Sequence, residues 1–430
     1  MPPGGDVFVS PHIFHPPTMS DSLPAIRLKP GRERSLLRHH PWIFSGAIAN
    51  VPNDADGKPL KPGAFVRVLS TPQNTPLGIG FFSPASQIRV RMLSFGDNAP
   101  LPTPDWLRNQ INDAANRRRL FQSPADRNAF RIVHGESDGL PGLVIDRYDN
   151  ILSVQILSTG FEAFREVLPE ILFDLFPDVI GIYERSDATA RTREGLPPKS
   201  GELARRPGTN PDYNAIEICL GNGIRSVIDI PNGQKTGSYL DQTLHHALVG
   251  KLAGDRDVLD AFCYDGGFGL ACLQNGAKHV TEVDASDSAL SALKANFARN
   301  GISETDRFEI VKADVFQFLR SARDARRTFD LIILDPPKFA ETQAHLQRAC
   351  RAYKDINLLA LKLLRPGGLL ATFSCSGALS PALFQTVLAE AATDAGREAR
   401  IVAAYHQPAD HPVSLSFPEG LYLKGFLLSV

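Results

Sequence analysis

The 430-residue sequence predicts an α/β protein: a Rossmann-like, doubly wound parallel sheet over residues 231–430, preceded by a small β-barrel over 26–98 and an α+β middle domain over 99–230. Three observations carry this reading. Past Pro231 apolar strands alternate with helix-length segments: "DVLDAFCYDGGFGLACLQNG", "HVTEVDASDSALSALKANFARNG", "FEIVKADVFQFLRSAR", "FDLIILDPPKF", "INLLALKLLRPGGLLATFSCS". Between Ile26 and Leu93 the strands are instead short and broken by Gly, Pro and Asn. Between these regions lie strands and amphipathic helices without a regular strand-helix rhythm.

In chain order, residues 1–25 are rich in Pro and Gly and are expected to be a disordered tail, with Met19 as an alternative start to Met1. Neither a basic segment followed by an apolar run nor an 18-residue apolar window occurs, so no export signal or membrane span is expected. The barrel strands show alternation at Ala64, Val66 and Val68 and at Ile88, Val90 and Met92. "PTPDWLRNQINDAANRRRLF" has apolar residues at Trp106, Leu107, Ile111 and Ala115, a helical spacing, with Arg117, Arg118 and Arg119 in the last turn, where cations suit the helix dipole. "AFRIVHGESDGLPGLVIDRYDNILSVQIL" reads as a hairpin or meander, "FEAFREVLPEILFDLF" as one amphipathic helix, and "VIGIYERS" and "AIEICLGNGIRSVIDI" as strands; Thr189 to Asn214 reads as a loop.

Five cysteines, with no CxxC pair, argue against both a zinc site and a disulfide framework, and fit a reducing cytoplasm. The net charge of −1 hides an asymmetry: Ala25–Arg131 holds 16 Lys and Arg against 7 Asp and Glu, and the remainder 30 against 40. A basic front end on an acidic remainder suggests a polyanion partner; uneven surface charge alone is the plainer account.

In "VLDAFCYDGGFG" an apolar strand runs into Asp260 and then a loop with Gly266, Gly267 and Gly269, a strand-turn-helix that lets a ligand approach backbone closely. It is neither G-x-G-x-x-G nor a Walker loop, which weakens a dinucleotide or triphosphate reading. The next strand ends in Asp284, 17 residues past Gly267, where a carboxylate can accept both ribose hydroxyls, and the third ends in Asp314, level with an adenine edge. Each acid alone could be a helix cap; three in successive strand ends make a set.

That set resembles the class I S-adenosyl-L-methionine-dependent methyltransferases, which implies that Asp260, Phe262, Gly266 and Gly267 form the cofactor loop, Asp284 the ribose acid and Asp314 the adenine contact. "LIILDPPKF" closes the fourth strand with Asp335-Pro336-Pro337, a stiff turn suited to a planar base beside the sulfonium. "LLATFSCSGALS" closes the fifth with Cys375. In that fold the two strands are neighbours, so Asp335 and Cys375 are expected to face one another. Such a pair suits carbon-5 methylation of cytosine, in which a thiolate adds at carbon 6 and an acid orients the ring. An isolated strand-end Cys would be read as core filler; beside D-P-P the nucleophile is preferred.

"RHHPWIFSGAI", "GESDGLPGLVIDRY", "KTGSYLDQ", "AFCYDGGF", "LDPPKF", "FSCSG" and "DHPVSLSFPEGLYLKGF" together resemble the RlmI-type large-subunit (23S) ribosomal RNA cytosine-C5 methyltransferases, from about Ile26 to the C-terminus. The resemblance implies an N-terminal PUA barrel that binds RNA, a linking domain, a single catalytic Cys and a large-subunit rRNA substrate. It also implies that Tyr239 and Gln242 border the cofactor, although a plain helix start at Ser238 would explain that stretch. Arg27, Lys29 and Arg38 of the barrel and Pro336, Pro337 and Lys338 are expected on the substrate side; Lys338 could equally be a solvated lysine. His411 is a late-loop histidine to which no role is given. Exposed sheet edges could support a homodimer. The rival readings are a methyltransferase acting on an exocyclic amine or guanine ring nitrogen, which needs no nucleophilic Cys, and a non-catalytic RNA-binding assembly factor.

Overall fold

The computed structural model describes residues 23–121, 127–221, 223–303, 307–340 and 342–430. Most of the expected tail lies outside the described residues; its last residue, Ala25, opens the first strand instead. The barrel is a curled sheet of β1 (Ala25–Leu28), β2 (Trp42–Phe44), β3 (Ile48–Asn50), β4 (Phe65–Leu69), β5 (Pro76–Phe82) and β6 (Ile88–Phe95), ordered β2-β6-β5-β4-β1-β3. Ile26, Leu28, Val66, Val68, Val90 and Met92 alternate into its core, as the period of two requires. Phe81 points the other way, into the core of the middle domain beside Phe161. A Cβ on Gly160 would lie 2.2 Å from the Phe81 ring, so the two units are packed without slack.

The helix Pro104–Arg119 follows, capped by the Thr103 hydroxyl accepting from the Trp106 N–H. Its arginines do more than complement the dipole. Arg118 is buried and makes a two-pronged ion pair with Asp138, at 2.7 and 2.6 Å. The middle sheet orders β7 (Ala129–His134), β8 (Leu143–Tyr148), β9 (Ile151–Ile156), β10 (Gly181–Ser186) and β11 (Lys199–Arg205) as β11-β10-β9-β8-β7. Two expectations need correction. The Thr189–Asn214 loop contains a short helix, Thr189–Arg193, and the edge strand β11. The single helix of "FEAFREVLPEILFDLF" is two pieces, Thr159–Glu162 and Leu168–Leu175; Pro169 lacks an N–H to continue the first and begins the second.

A hairpin, β12 (Ile216–Gly221) with β13 (Ile224–Ile228), joins neither large sheet. It bridges them: Asn128 holds the backbone of Cys219, and Asn296 and Asn300 accept from the N–H groups of Val227 and Arg225. The last sheet has β14 (Asp257–Ala261), β15 (His279–Asp284), β16 (Phe308–Lys312), β17 (Phe329–Leu334), β18 (Leu364–Ser374), β19 (Arg400–His406) and β20 (Lys424–Ser429) in the order β16-β15-β14-β17-β18-β20-β19. Only β20 runs antiparallel to its neighbours. Helices cover both faces, and the order reverses at β14/β17, the crevice where ligands bind in such sheets. Among the described residues no helix is long and apolar enough to cross a membrane.

Buried ion pairs lock the middle unit to this sheet. Arg118 also donates to the Asp410 carbonyl, and the Asp410 carboxylate accepts from the Arg127 guanidinium and the Arg131 N–H. Cutting a buried pair leaves an uncompensated charge, so Asp138→Ala is expected to cost about 3–5 kcal/mol. Urea denaturation would show this as a large drop in midpoint; a loss below about 1 kcal/mol would mean that water replaces the carboxylate.

Candidate active site

The first crossover is built by backbone strain and close approach. Phe262 and Tyr264 have φ of +66° and +50°, and Gly266 has +83° and starts the helix Gly267–Gln274. A Cβ on Gly267 would lie 2.3 Å from the His246 ring, so the glycines serve packing behind the loop as well as access in front. Asp260 stands at the base of this loop. It is fully buried, its Oδ2 accepts the Gly269 N–H at 3.1 Å, and it shapes the loop from beneath. Burial raises both Asp260 and its neighbour Glu282; Asp260 raises Glu282 further, whereas the bond from Glu282 lowers Asp260.

Asp284, half-buried, accepts from the Tyr264 N–H (3.1 Å) and the Ser286 N–H (2.8 Å). Those bonds leave it at the mouth of the crevice, where a ribose acid would stand. Asp314 is exposed and caps the helix Val315–Asp324 through the Gln317 N–H, so both the capping role and the open position are met. Phe262 stands in an aromatic group with Phe316 and Phe339.

Asp335 and Cys375 follow β17 and β18, which pair in parallel with Leu334 opposite Thr372. The two groups therefore stand on the same sheet edge and feel each other's charge. Both are half-buried. Burial, then the Asp241 charge, raises the Asp335 carboxyl from 3.8 to about 7, while Gln242 and Lys235 pull it down. Burial and Asp335 raise the Cys375 thiol, whereas Lys235 and Lys338 lower it. Pro336 is buried; Pro337 and Lys338 are exposed.

The stretch 234–242 forms one wall. Tyr148 accepts the Ser238 N–H and bonds the Thr236 hydroxyl, which donates to Asp146; Asp146 is also gripped by Arg131 at 2.7 Å on both prongs. Lys235 pairs with the buried Asp241 at 2.9 Å and lies 4.5 Å over the Tyr239 ring. Tyr239 meets Tyr264 edge to face. The buried Gln242 side chain stands beside Asp335, whose carboxyl it lowers. Tyr239 and Gln242 thus stand on this wall of the crevice. Lys235, Asp241, Tyr264 and Tyr422, which donates to Asp241 at 2.6 Å, are not in the sequence reading. All four sit in strings that carried the resemblance; Lys235 and Asp241 are six residues apart, but Tyr422 meets Asp241 from 181 residues away.

Arg27 donates to Asn74 on the barrel surface, and Lys29 and Arg38 are exposed there; no hydrogen bond or ion pair links them to the Asp335–Cys375 group. The barrel reaches the catalytic unit through Trp42, which packs 4.7 Å from Phe417 and donates to Glu136, and through His40 with Glu419. His411 is buried 3.3 Å from Asp410 and 5.2 Å from the His134 ring. It belongs to the seam between units. Among the described residues no cluster of His, Cys, Asp or Glu could hold a metal.

The chain's comparisons agree with this geometry. Residues 26–95 match a PUA-like domain and residues 211–417 an S-adenosylmethionine-dependent methyltransferase. A methyltransferase solved in complex with SAH has a TM-score of 0.80 at 20% identity, covering 95% of this chain and 100% of its own. One from Streptococcus mutans has a TM-score of 0.78 at 21% identity with the same coverage. Both share the fold. The strained loop and the strand-end acids fit S-adenosyl-L-methionine, which is the cofactor. Ribosomal RNA large subunit methyltransferase I of Tolumonas auensis is 47% identical over 404 residues, 94% of this chain and 98% of its own. The protein of that name from Shewanella amazonensis is 44% identical over 406 residues, 94% and 99%. With the barrel, the linking unit and the cofactor crevice all matched end to end, the chain belongs to the ribosomal RNA large subunit methyltransferase I family.

Proposed function

We propose that this methyltransferase acts on carbon 5 of a cytosine in large-subunit ribosomal RNA, with Cys375 as a transient covalent nucleophile. The observation that carries the reading is the half-buried thiol beside a carboxyl raised to about 7, on adjacent strand ends of a cofactor-binding sheet. Carbon 5 of cytosine is a poor nucleophile. Thiolate addition at carbon 6 forms the C–S bond and moves electron density to carbon 5 and toward ring nitrogen 3. Asp335, which burial keeps protonated into the neutral range, donates a hydrogen bond to that nitrogen and stabilises the developing charge. The cofactor supplies the methyl group to carbon 5. Loss of the carbon-5 proton to solvent then breaks the C–S bond, expels the Cys375 thiolate and restores the aromatic ring. The base has to leave its stack to reach the crevice, and the basic barrel surface, with Arg27, Lys29 and Arg38, supplies phosphate contacts.

Labelled cofactor with unmodified bacterial large-subunit rRNA is expected to yield labelled 5-methylcytidine by mass spectrometry, and Cys375→Ala none. Label on another nucleoside, or activity in the variant, would transfer the assignment to an amine or ring-nitrogen methyltransferase.

Asp335→Asn tests the carboxyl. Between about pH 4 and 7 the folded protein keeps the Asp335 proton that the unfolded chain has released, so this group makes stability fall as pH rises through that window. In the variant the decline of Tm over that range is expected to be shallower; an unchanged slope would mean that Asp335 titrates normally. On the barrel, Lys29→Ala and Arg38→Ala should each flatten the plot of log affinity for rRNA against log salt by about 0.7–0.9 if each touches one phosphate. A uniform loss of affinity at unchanged slope would contradict phosphate contact.

A further inference from the structure

Lys424 lies on β20, opposite Ser374 of β18, and its side chain is only 3% exposed. Its ammonium donates to the carbonyl oxygens of Ser376 (2.6 Å) and Leu379 (2.7 Å), the two ends of the turn that leaves Cys375. Among the described residues no carboxylate lies within ion-pair distance of it. A buried cation without a counter-ion is costly, and two carbonyl dipoles offset only part of that cost. Those two carbonyls belong to the turn that leaves Cys375, whose thiol is able to carry the missing negative charge and whose charge acts on Lys424.

The turn is held from the other side too. The Ser376 hydroxyl accepts the Ala340 N–H at 3.2 Å and bonds the Tyr353 hydroxyl at 3.1 Å, and the Ser374 hydroxyl donates to Tyr353 at 2.9 Å. Ala340 ends the loop that begins at Asp335, so this cluster ties the D-P-P loop to the cysteine turn. It contributes no charge while the Tyr353 phenol stays protonated, as burial ensures. Of the other charges around the thiol, Asp335 and Asp241 oppose ionisation; Lys235 is already paired with Asp241, and Lys338 is exposed to solvent. Tyr239 also faces the thiol, as a neutral phenol.

We infer that Lys424 is a positioning residue: it fixes the Cys375 turn through two carbonyls and is the buried counter-ion of the Cys375 thiolate. The inference rests on the covalent reading above and names what that reading lacks, a source of thiolate stabilisation beside a carboxyl that works against it. Ionisation breaks the S–H bond, the proton passes to solvent, and the sulfur is left facing an ammonium already in place. Burial pushes Lys424 down to about 8, so the cation is present through the neutral range and fades above it.

The test is peptide-resolved alkylation of the full-length protein with iodoacetamide from pH 6 to 10, without RNA, which reads Cys375 apart from the other four cysteines. Lys424→Gln keeps a carbonyl-directed donor and removes the charge; it is expected to slow Cys375 alkylation roughly tenfold near pH 7, where the ammonium is present, and to converge with wild type above about pH 9, where it is not. Lys424→Arg keeps the charge and should alkylate near pH 7 within about twofold of wild type. Unchanged affinity for S-adenosyl-L-methionine verifies that both variants fold; should the Gln variant not fold, Lys424→Met takes its place. A Cys375 alkylation rate near pH 7 that is the same with and without the charge would overturn the inference. Because the thiol is read without substrate, failure here is distinct from failure of the covalent reading, which appears as methylation surviving Cys375→Ala.

Discussion

The parallel pairing of β17 with β18 is the constraint on which the site depends. Parallel strands end on the same sheet edge, so residues immediately after them share one rim. That register brings an acid from one strand and a thiol from the next to a common opening, 40 residues apart in sequence. The strands themselves are fully buried and, apart from Thr372, apolar, Leu331 to Leu334 against Leu370 to Phe373, so a slip would move several core side chains at once. The polar loops beyond the strands could still diverge. The Ser376–Ala340 bond, the Tyr353 hydroxyl and the Lys424 ammonium hold them.

The other half of the crevice is imposed from outside the catalytic sheet. Residues 234–242 hang on Asp146 and Tyr148 of β8, and Asp146 is fixed by Arg131 of β7. The linking unit is therefore part of the active-site wall rather than a spacer. Buried guanidinium–carboxylate pairs add little net stability over apolar packing, but they punish misalignment, because a displaced partner leaves a charge without water. At a seam between units this favours one arrangement. Arg118, Asp138 and Asp410 do the same work one layer away.

Much of this was readable from the chain, for physical reasons that also explain the gaps. The strand-helix rhythm after Pro231 and the alternation at Ile88, Val90 and Met92 gave the large elements because burial demands those periods. Edge strand β11, "KSGELAR", is half-exposed and mostly polar, so no apolar period betrays it. Asp260 is legible as part of the crossover loop, but its bond to the Gly269 N–H is not, since a strand-end acid that faces a ligand and one that faces its own loop look alike in sequence. Lys424 and Tyr422 were passed over because their partners, at the Cys375 turn and Asp241, lie about 50 and 180 residues away. Long-range polar partnership leaves no local pattern.

The central claim is that sulfur of Cys375 bonds to the substrate base during turnover. It is tested most directly with large-subunit rRNA transcribed with 5-fluorocytidine, whose carbon-5 substituent cannot leave as a proton, so elimination stalls after methyl transfer. With cofactor, the wild-type protein should form a denaturant-stable protein–RNA adduct that mass spectrometry maps to Cys375, and Cys375→Ala should form none. Full cofactor turnover on this RNA with no adduct, or an adduct at another residue, would contradict the account.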